Sequence, residues 1–432
     1  MNIITLKEQQ EHYYFSNDEN KLALSFIEDG GKLDFAAEDA KPYLQLSRGG
    51  DTIKAEISHY VGIDWISEQN LAVQVYPKMN DGFEIDYVSM LNDALKEDEN
   101  YKHLQGLVTI DFYKPSIPIE QKQDFLSVFL ITQYINILHK IVRKGLKKSY
   151  YLVEENLKNK VKGHIEVGKN IRQNIVRGHL NDNVCRYQVY DIDSTENRIL
   201  KKALIFCIKQ VGVFKHAFET NVLNKKIQYI KPAFEYVGNE VSVSTIQSFN
   251  SNPIYKDYIL AIDYAKLILK KYSYNITSIG KKEVRTPPYW IDMAKLFELY
   301  VYHHLRKVFI GKNEVVYHPK AHYQEPDYLL NAMAWNEPYV IDAKYKPRYS
   351  TQGITMDDAR QVSGYARLSS IYNAFHLDEE TALPIKCLII YPNQNNEDYF
   401  SFSRDKEPEF DKINGYVRMY KQGIKLPVIE SH

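Results

Sequence analysis

Two acidic residues and a lysine in the last third of the chain have the types and the order that phosphodiester hydrolysis requires. Asp327 opens the apolar run YLL, and the strand-like stretch YVIDAKYK further on contains Asp342 and Lys344. This reaction needs a cation that neutralises the phosphate and lowers the pKa of an attacking water. Two carboxylates on neighbouring strands can hold Mg²⁺, whose remaining ligands are waters and substrate oxygens. We therefore expect Asp327 and Asp342 to bind Mg²⁺.

Lys344 is expected to complete the reacting centre. Side chains alternate along a strand, so Asp342 and Lys344 share one face. There the ammonium would orient the attacking water or stabilise the pentavalent phosphorus. The tripeptide Asp-Ala-Lys also occurs at 39–41, but Pro326 and Asp327 form the only Pro-Asp dipeptide among the 16 prolines. The sequence context therefore favours the site at 342 over the alternative, an exposed hairpin with a salt bridge.

A predicted helix upstream, WIDMAKLFELYVYHHLRKVF, supplies a further carboxylate. Its apolar stripe includes Phe297 and Val301, and Glu298 borders that stripe. A carboxylate on a buried helix face usually has a partner. Glu298 either reaches the metal site from behind or pairs with a neighbouring Lys or Arg, and the sequence leaves both open.

The segment TMDDARQVSGYARL, downstream of the motif, is predicted to form a helix that begins with a capping box at Thr355 and Asp358. Gln361 and Tyr365 are four residues apart and share a face of this helix. An amide and a phenol there would bind phosphate or position Lys344. The spacing is common by itself, and its place soon after the Asp-Ala-Lys motif gives it weight.

The elements that must position these residues divide the chain into three predicted parts, and the expected fold class is α+β with several domains. Residues 1–115 contain strand-like runs separated by turns, which predicts a β-rich domain. Residues 116–285 show helical periodicity, as in DFLSVFLITQYINILHKIV, and predict a mainly helical middle region. Residues 286–432 follow the breaker VRTPPYW and carry the motifs above. They predict an α/β nuclease domain of the PD-(D/E)XK, restriction-endonuclease-like type.

The middle region contains a basic segment at 140–177, with eleven basic residues against three acidic ones in a chain of zero net charge. A phosphate backbone or an acidic partner would bind there, and a solvated helical face is the alternative. The stretch GHIEVGKN approaches a phosphate-loop pattern, but Asn170 stands where the Mg²⁺-binding hydroxyl belongs and no buried strand precedes it. Nucleotide binding by this chain is therefore not expected.

The bulk properties exclude several classes of protein. Hydrophobic residues make up 44% and charged residues 25%, which is typical of a folded globular protein. The three cysteines form no C-x-x-C pair, so neither a disulfide framework nor a zinc site is expected. The sequence shows neither a secretory leader nor a run of about 20 apolar residues. It therefore predicts no membrane insertion, and a cytoplasmic location fits.

Taken together, these segments resemble the McrC family, the nuclease component of McrBC-type modification-dependent restriction systems. The resemblance rests on LAVQVYPKM in the N-terminal part and on RKGLKKSYYLVEENLKNKVKGHIEVGKNI and DSTENRILKKAL in the middle. In the last third it rests on WIDMAKLFELYVYHHL, EPDYLL, VIDAKYK and the helix with Gln361 and Tyr365. It implies a Mg²⁺-dependent DNA endonuclease subunit in which Asp327, Asp342 and Lys344 take the metal and catalytic roles.

The resemblance also implies partners. The subunit would cut double-stranded DNA only in complex with a GTP-hydrolysing AAA+ ring of the McrB type. That ring would bind the GTP and recognise the modified cytosine, while the N-terminal region of this chain contacts the ring and stimulates its GTPase. Cleaving both strands needs two sites, so dimerisation through or near the nuclease domain is expected. Two other functions remain open: a non-catalytic regulator of an AAA+ GTPase, and a stand-alone DNA repair or transposon nuclease.

Overall fold

The computed structural model describes residues 2–8, 13–14, 25–36, 42–50, 52–78, 84–97, 99–100, 103–104, 106–111, 114–120, 125–213, 221–242, 245, 256–276, 283–320, 324–335, 337–380, 382–395, 400 and 402–429. The second Asp-Ala-Lys tripeptide, at 39–41, lies outside them. The chain forms two compact units. One consists of Met1–Phe125 together with Gly280–His432, and the other of Leu126–Ile279.

Strands dominate the N-terminal part of the first unit. They are β1 (Asn2–Lys7), β2 (Tyr13–Tyr14), β3 (Lys32–Phe35), β4 (Leu44–Gly49), β5 (Thr52–Ile57), β6 (Tyr60–Ser67), β7 (Leu71–Tyr76), β8 (Val108–Ile110) and β9 (Ile117–Glu120). Helix α1 (Tyr87–Ala94) begins at Asp86, whose carboxylate accepts from the Ser89 N–H. Strands β2, β5, β4 and β3 form an antiparallel sheet in that order. Along β5, Ile53, Ala55 and Ile57 are buried, as period-two alternation predicts.

A second sheet joins this part to the chain that follows the middle unit. Its order is β1-β7-β6-β14-β8, and β14 (Tyr289–Asp292) pairs antiparallel with both β6 and β8. Gly62 of β6 is required here, because a Cβ at this position would lie 2.1 Å from the Tyr289 carbonyl oxygen. The predicted parts 1–115 and 286–432 therefore share one compact unit, and their division into separate domains stays a prediction.

The middle unit contains long helices together with a β-hairpin. Its elements are α2 (Phe125–Lys144), β10 (Ser149–Lys158), β11 (His164–Ile165), α3 (Val167–Gln173), β12 (Asp182–Asp191), α4 (Thr195–Val213), α5 (Asn221–Ile230) and α6 (Lys256–Ile276). Strands β10 and β12 pair antiparallel along their whole length. The prediction of a mainly helical region did not include this hairpin of residues 149–158 and 182–191. Each strand is stabilised by a partner distant in sequence, which local periodicity does not reveal.

The alternative to phosphate binding was that the basic segment forms a solvated helical face. In the structure, residues 140–177 include strands β10 and β11 as well as helical residues. Lys144 ends α2 and pairs with Asp257, and Lys169 of α3 pairs with Glu154 of β10. Lys147, between α2 and β10, pairs with Glu196. Acidic residues on other elements therefore offset part of the local positive charge.

The candidate site lies in a six-stranded sheet of the first unit. Its strands are β15 (Val315–Tyr317), β16 (Tyr328–Leu330), β17 (Tyr339–Ala343), β18 (Lys386–Pro392), β19 (Asp411–Lys412) and β20 (Met419–Ile424), and the order is β15-β16-β17-β18-β20-β19. Strands β17, β18 and β20 run parallel. Helices α7 (Met293–Val308) and α8 (Met356–Tyr365) both contact β17, and α9 (Ser369–Ala374) follows α8. All five residues of β17 are buried, as expected for a central strand covered on both faces.

The remaining strand, β13 (Glu283–Thr286), pairs antiparallel with β9. The architecture is mixed α/β with several sheets, which confirms the predicted mixture of helices and strands. Within the described part of the chain, no helix combines the length and apolar character needed to cross a membrane.

Candidate active site

The hairpin formed by β16 and β17 brings the two predicted aspartates together. Asp327 directly precedes β16, Asp342 lies within β17, and the two strands are antiparallel neighbours. The Ala343 N–H donates to Oδ2 of Asp327 over 2.6 Å, which fixes that carboxylate against the end of β17. The sequence prediction that both carboxylates converge from neighbouring strands therefore matches the geometry.

Asp342 is a buried carboxylate with spare hydrogen-bonding capacity. The residue is 1% exposed, and its Oδ2 lies 2.7 Å from Nζ of Lys344. Its Oδ1 accepts no hydrogen bond from any described residue. Leaving a buried acceptor unsatisfied costs about 1–3 kcal/mol, so such atoms call for an explanation such as an ion.

Burial and neighbouring charges raise the pKa values of both aspartates. Burial raises the pKa of Asp327 well above its usual range, and the charges of Asp342 and Glu298 raise it further. Burial also raises the pKa of Asp342, against the opposing effect of Lys344. Burial lowers the pKa of Lys344, but the Asp342 and Asp327 carboxylates outweigh it and hold that pKa above its usual range. The site therefore contains one firmly protonated lysine beside two carboxyl groups that are costly to ionise without a further positive charge, a setting that favours cation binding.

Gln361 and Tyr365 form a hydrogen-bonded chain that ends on the lysine. Nζ of Lys344 donates to Oε1 of Gln361 over 3.0 Å, and Nε2 of Gln361 donates to the Tyr365 hydroxyl over 2.6 Å. Helix α8 positions both residues, and its predicted N-cap is present, since the Thr355 hydroxyl accepts from the Asp358 N–H. The sequence left two roles open for Gln361 and Tyr365, phosphate binding and the positioning of Lys344. The geometry corresponds to the positioning of Lys344.

Glu298 lies among possible metal ligands. A carboxylate oxygen of Glu298, an imidazole nitrogen of His318 and a carboxylate oxygen of Asp327 all lie within 4.8 Å of one another. The Tyr328 hydroxyl donates to the Glu298 backbone carbonyl over 2.6 Å and ties α7 to β16. The described partner of the Glu298 carboxylate is His318, at 3.3 Å between Oε2 and Nε2, so the predicted alternative of a Lys or Arg partner does not match the geometry.

Sequence reasoning missed His318, because a lone histidine before a proline has no periodic signal. The structure places it opposite Asp327 through the hairpin of β15 and β16, in which Tyr317 pairs with Tyr328. The His318 N–H then donates to the Asp327 carbonyl over 2.9 Å. Matching the apolar triplets VVY and YLL as an antiparallel pair would have revealed this neighbour.

The donor set fits a divalent cation. Asp327 and Glu298 offer carboxylate oxygens, which are the ligands that Mg²⁺ prefers, and His318 offers a nitrogen in the same cluster. The Asp342 carboxylate lies on the strand that pairs with β16. The buried and unpartnered Oδ1 of Asp342 is the direct observation for this fit, because a metal would satisfy it.

Comparison with known proteins gives the family. The family model described as McrBC 5-methylcytosine restriction system component matches residues 55–377, about three quarters of the chain. No curated protein matches. Among solved structures, one similar chain comes from a half-complex of the tetradecameric assembly of Thermococcus gammatolerans McrB AAA+ hexamers with bound McrC. It is 16% identical, with a TM-score of 0.37, and the match covers 98% of this chain and 94% of that chain.

A second similar chain comes from the cryo-EM structure of the Thermococcus gammatolerans McrBC complex. It is 17% identical, with a TM-score of 0.29, and the match covers 72% of this chain and 88% of that chain. The family conclusion rests on the family model, which spans most of the sequence. The chain belongs to the McrBC 5-methylcytosine restriction system component family, as the resemblance of its motifs predicted.

Proposed function

We propose that this chain is the DNA endonuclease subunit of its restriction system, and that it hydrolyses phosphodiesters of double-stranded DNA at a PD-(D/E)XK site. One observation carries the proposal. The buried Asp342 has an oxygen without a hydrogen-bond partner among the described residues, beside a lysine two positions along the same chain. A structural ion pair would be expected to use both oxygens of a carboxylate so deeply buried.

Asp327 and Asp342 would hold Mg²⁺, with Glu298 at the margin of the site. When bound, the cation supplies positive charge at the phosphate and acidifies a water. The protein holds the two carboxylates at the junction of β16 and β17, where the Ala343 N–H restrains Asp327. This preorganisation means that little of the binding free energy is lost to ordering the ligands.

Lys344 acts as a charged donor in this proposal. Because neighbouring carboxylates raise its pKa, it stays an ammonium and does not serve as a general base. Its contacts with Asp342 and Gln361 hold the Nζ atom beside the carboxylates, where it can donate to a phosphate oxygen or orient the attacking water. Tyr365 supports this arrangement by accepting from Gln361.

We further propose that cleavage depends on an AAA+ partner ring that hydrolyses GTP and recognises modified cytosine. The family description supports a role in 5-methylcytosine restriction. The described residues 163–170 form β11 and the start of α3, and the Asn170 side chain accepts from the Val184 N–H. Strand β11 is only two residues long, and Gly168 and Lys169 lie within α3 and not in a loop that could cradle phosphates. GTP is therefore assigned to the partner, and cleavage of both strands to a pair of nuclease sites.

The test is a cleavage assay of Asp342→Ala and Lys344→Ala with the partner, GTP, Mg²⁺ and methylated duplex DNA, with GTPase stimulation measured in parallel. Asp357→Ala is the matched control, because Asp357 is 93% exposed on α8. We expect both site variants to lose cleavage while still stimulating the GTPase, and the control to behave like the parent.

Two outcomes would contradict the proposal. If both site variants cut as well as the parent chain, the active-site assignment is wrong. If the parent chain itself stimulates the partner but cuts no methylated DNA, the chain is a regulator of the GTPase and its carboxylate cluster serves another purpose.

A further inference from the structure

We propose that His318 is a ligand of the active-site cation and that its nitrogen makes the site prefer Mn²⁺ over Mg²⁺. The inference deepens the proposed function, on which it rests for the identity of the site. It starts from the cluster in which ligand atoms of Glu298, His318 and Asp327 lie within 4.8 Å of one another. The buried, unpartnered oxygen of Asp342 is the independent second observation.

Both nitrogens of the His318 ring face carboxylates. Nε2 lies 3.3 Å from Oε2 of Glu298, inside the cluster, and Nδ1 lies 3.6 Å from Oε1 of Glu325, which is on the outer side. A histidine ligand commonly places its second nitrogen toward a carboxylate, which fixes the tautomer and the ring orientation. Glu325 is therefore positioned to keep the proton on Nδ1 and leave the Nε2 lone pair for a cation.

The backbone of His318 is strained in a way that serves this placement. Its φ is +46°, a left-handed conformation that non-glycine residues seldom adopt, and such conformations cost about 1–3 kcal/mol. The His318 N–H bond to the Asp327 carbonyl holds it there. The Tyr317 ring restrains the imidazole, with a distance of 4.1 Å between ring centroids. Strain of this kind persists where the surrounding structure enforces it, often at functional sites.

The presence of nitrogen determines the choice of metal. Mg²⁺ is a hard ion that takes oxygen ligands in near-ideal octahedral geometry. Imidazole favours first-row transition ions, while carboxylates accept both Mg²⁺ and Mn²⁺. A cluster of two carboxylates and one imidazole, with the Asp342 carboxylate on the neighbouring strand, therefore suits Mn²⁺ better than Mg²⁺. Without a metal, the same contacts would only pair the His318 ring with its two glutamates.

The experiment measures Mn²⁺ binding to the full chain without DNA or partner, by electron paramagnetic resonance, with Mg²⁺ as competitor. We expect the parent chain to bind Mn²⁺ more than about 10-fold tighter than Mg²⁺. His318→Asn should weaken Mn²⁺ binding by about 10- to 100-fold, the range for lost support of a metal ligand, while Mg²⁺ binding changes little. Asparagine tolerates the left-handed backbone and is too short to replace Nε2.

The matched control is His376→Asn, because His376 is exposed and also has a left-handed backbone, with φ +57°. It should bind Mn²⁺ like the parent chain. A second measurement needs no variant: the Mn²⁺ spectrum of the parent chain should show hyperfine coupling to an imidazole nitrogen. If that coupling is absent, or if His318→Asn binds Mn²⁺ like the parent, His318 is only an ion-pair partner and the proposal is wrong.

Failure of this inference differs from failure of the nuclease assignment. If the parent chain shows nitrogen coupling but Asp342→Ala still cuts DNA, the metal site exists and does not serve cleavage. If Asp342→Ala loses cleavage but the parent chain shows no nitrogen coupling, the chain is a nuclease and His318 is not one of its metal ligands.

Discussion

Two buried aspartates of the first unit, Asp64 and Asp342, each lie beside a lysine. They differ in how many of their carboxylate oxygens accept hydrogen bonds. Asp64 is 5% exposed and accepts from Nζ of Lys114 at 2.8 Å, from the Trp65 N–H at 2.7 Å and from the Trp290 Nε1–H at 3.2 Å. Asp342 is 1% exposed and has Lys344 beside one oxygen, while its other oxygen has no donor among the described residues.

The difference separates a structural carboxylate from one kept for a ligand. Both oxygens of Asp64 are used by groups of the protein, so its charge stabilises the packing of β6 against β14. Burial opposes the ionisation of Asp342 and raises its pKa, and the charges of Glu298 and Asp358 raise it further. Asp342 in turn raises the pKa of Asp327. A buried carboxylate is thus a candidate for function when its neighbours repel it and leave an oxygen free.

The largest effect is expected from Asp342→Asn. We expect cleavage to fall by about 10³-fold, because a neutral amide holds a cation poorly and weakens the electrostatic stabilisation of the reacting phosphate. The free energy of unfolding should change by less than about 1 kcal/mol, since a repelled carboxylate is removed. Cleavage rates test the expected loss of activity, and chemical denaturation tests the expected small change in the free energy of unfolding. A large loss of stability would show that Asp342 is a structural carboxylate like Asp64.

The opposite pattern is expected from Asp64→Asn. Its amide nitrogen must face a donor, so the free energy of unfolding should fall by about 3 kcal/mol, as when a buried ion pair loses one partner. The cleavage rate of the folded protein should be unchanged. Urea denaturation measures the stability, with Asp357→Asn as the exposed control; equal stabilities for the two variants would contradict the structural role.

A third buried carboxylate, Glu8, directly follows β1 and gives the stability of the protein a dependence on pH. Burial raises its pKa from 4.5 to about 7, although a hydrogen bond with Tyr345 opposes the shift. Between pH 4.5 and about pH 7, Glu8 keeps its proton in the folded protein and releases it in the unfolded chain. The stability that this group contributes is therefore complete below pH 4.5 and is lost as the pH rises through about 7.

Glu8→Gln should remove this dependence. At pH 8 we expect the variant to be more stable than the parent by about 2–3 kcal/mol, and at pH 4.5 the two should be equal. Denaturation at a series of pH values provides the measurement. A difference that does not grow between these values would show that Glu8 ionises normally in the folded state.

The smallest effect is expected from Gln361→Ala. Losing the amide that accepts from Lys344 should lower the turnover rate by about 10-fold with little change in KM, because the lysine loses its orientation and keeps its charge. Gln361→Glu, which retains an acceptor oxygen, should recover part of the rate. Steady-state kinetics with the partner would show it, and a change confined to KM would indicate phosphate binding in place of lysine positioning.

Prediction from the sequence succeeded where the signal was local. Alternation predicted that Asp342 of β17 and Lys344, which directly follows the strand, share one side, and their side chains are in contact. The helical spacing of Gln361 and Tyr365 allowed their hydrogen bond along α8. It failed where pairing is distant. It missed the hairpin of β10 and β12, because β12 begins 24 residues after β10 ends and local periodicity carries no trace of the pairing.

The sequence by itself determined the residue types of the candidate site, the elements that carry them and the family, because these depend on short motifs and local periodicity. Only the tertiary structure decided which carboxylate is left unsatisfied and which histidine joins the cluster. The reason is that the hydrogen bonds available to a buried atom depend on all of its neighbours, and here those neighbours come from α7, β15, β16 and β17. Asp64 and Asp342 are the same residue type beside a lysine, and their surroundings give them different roles.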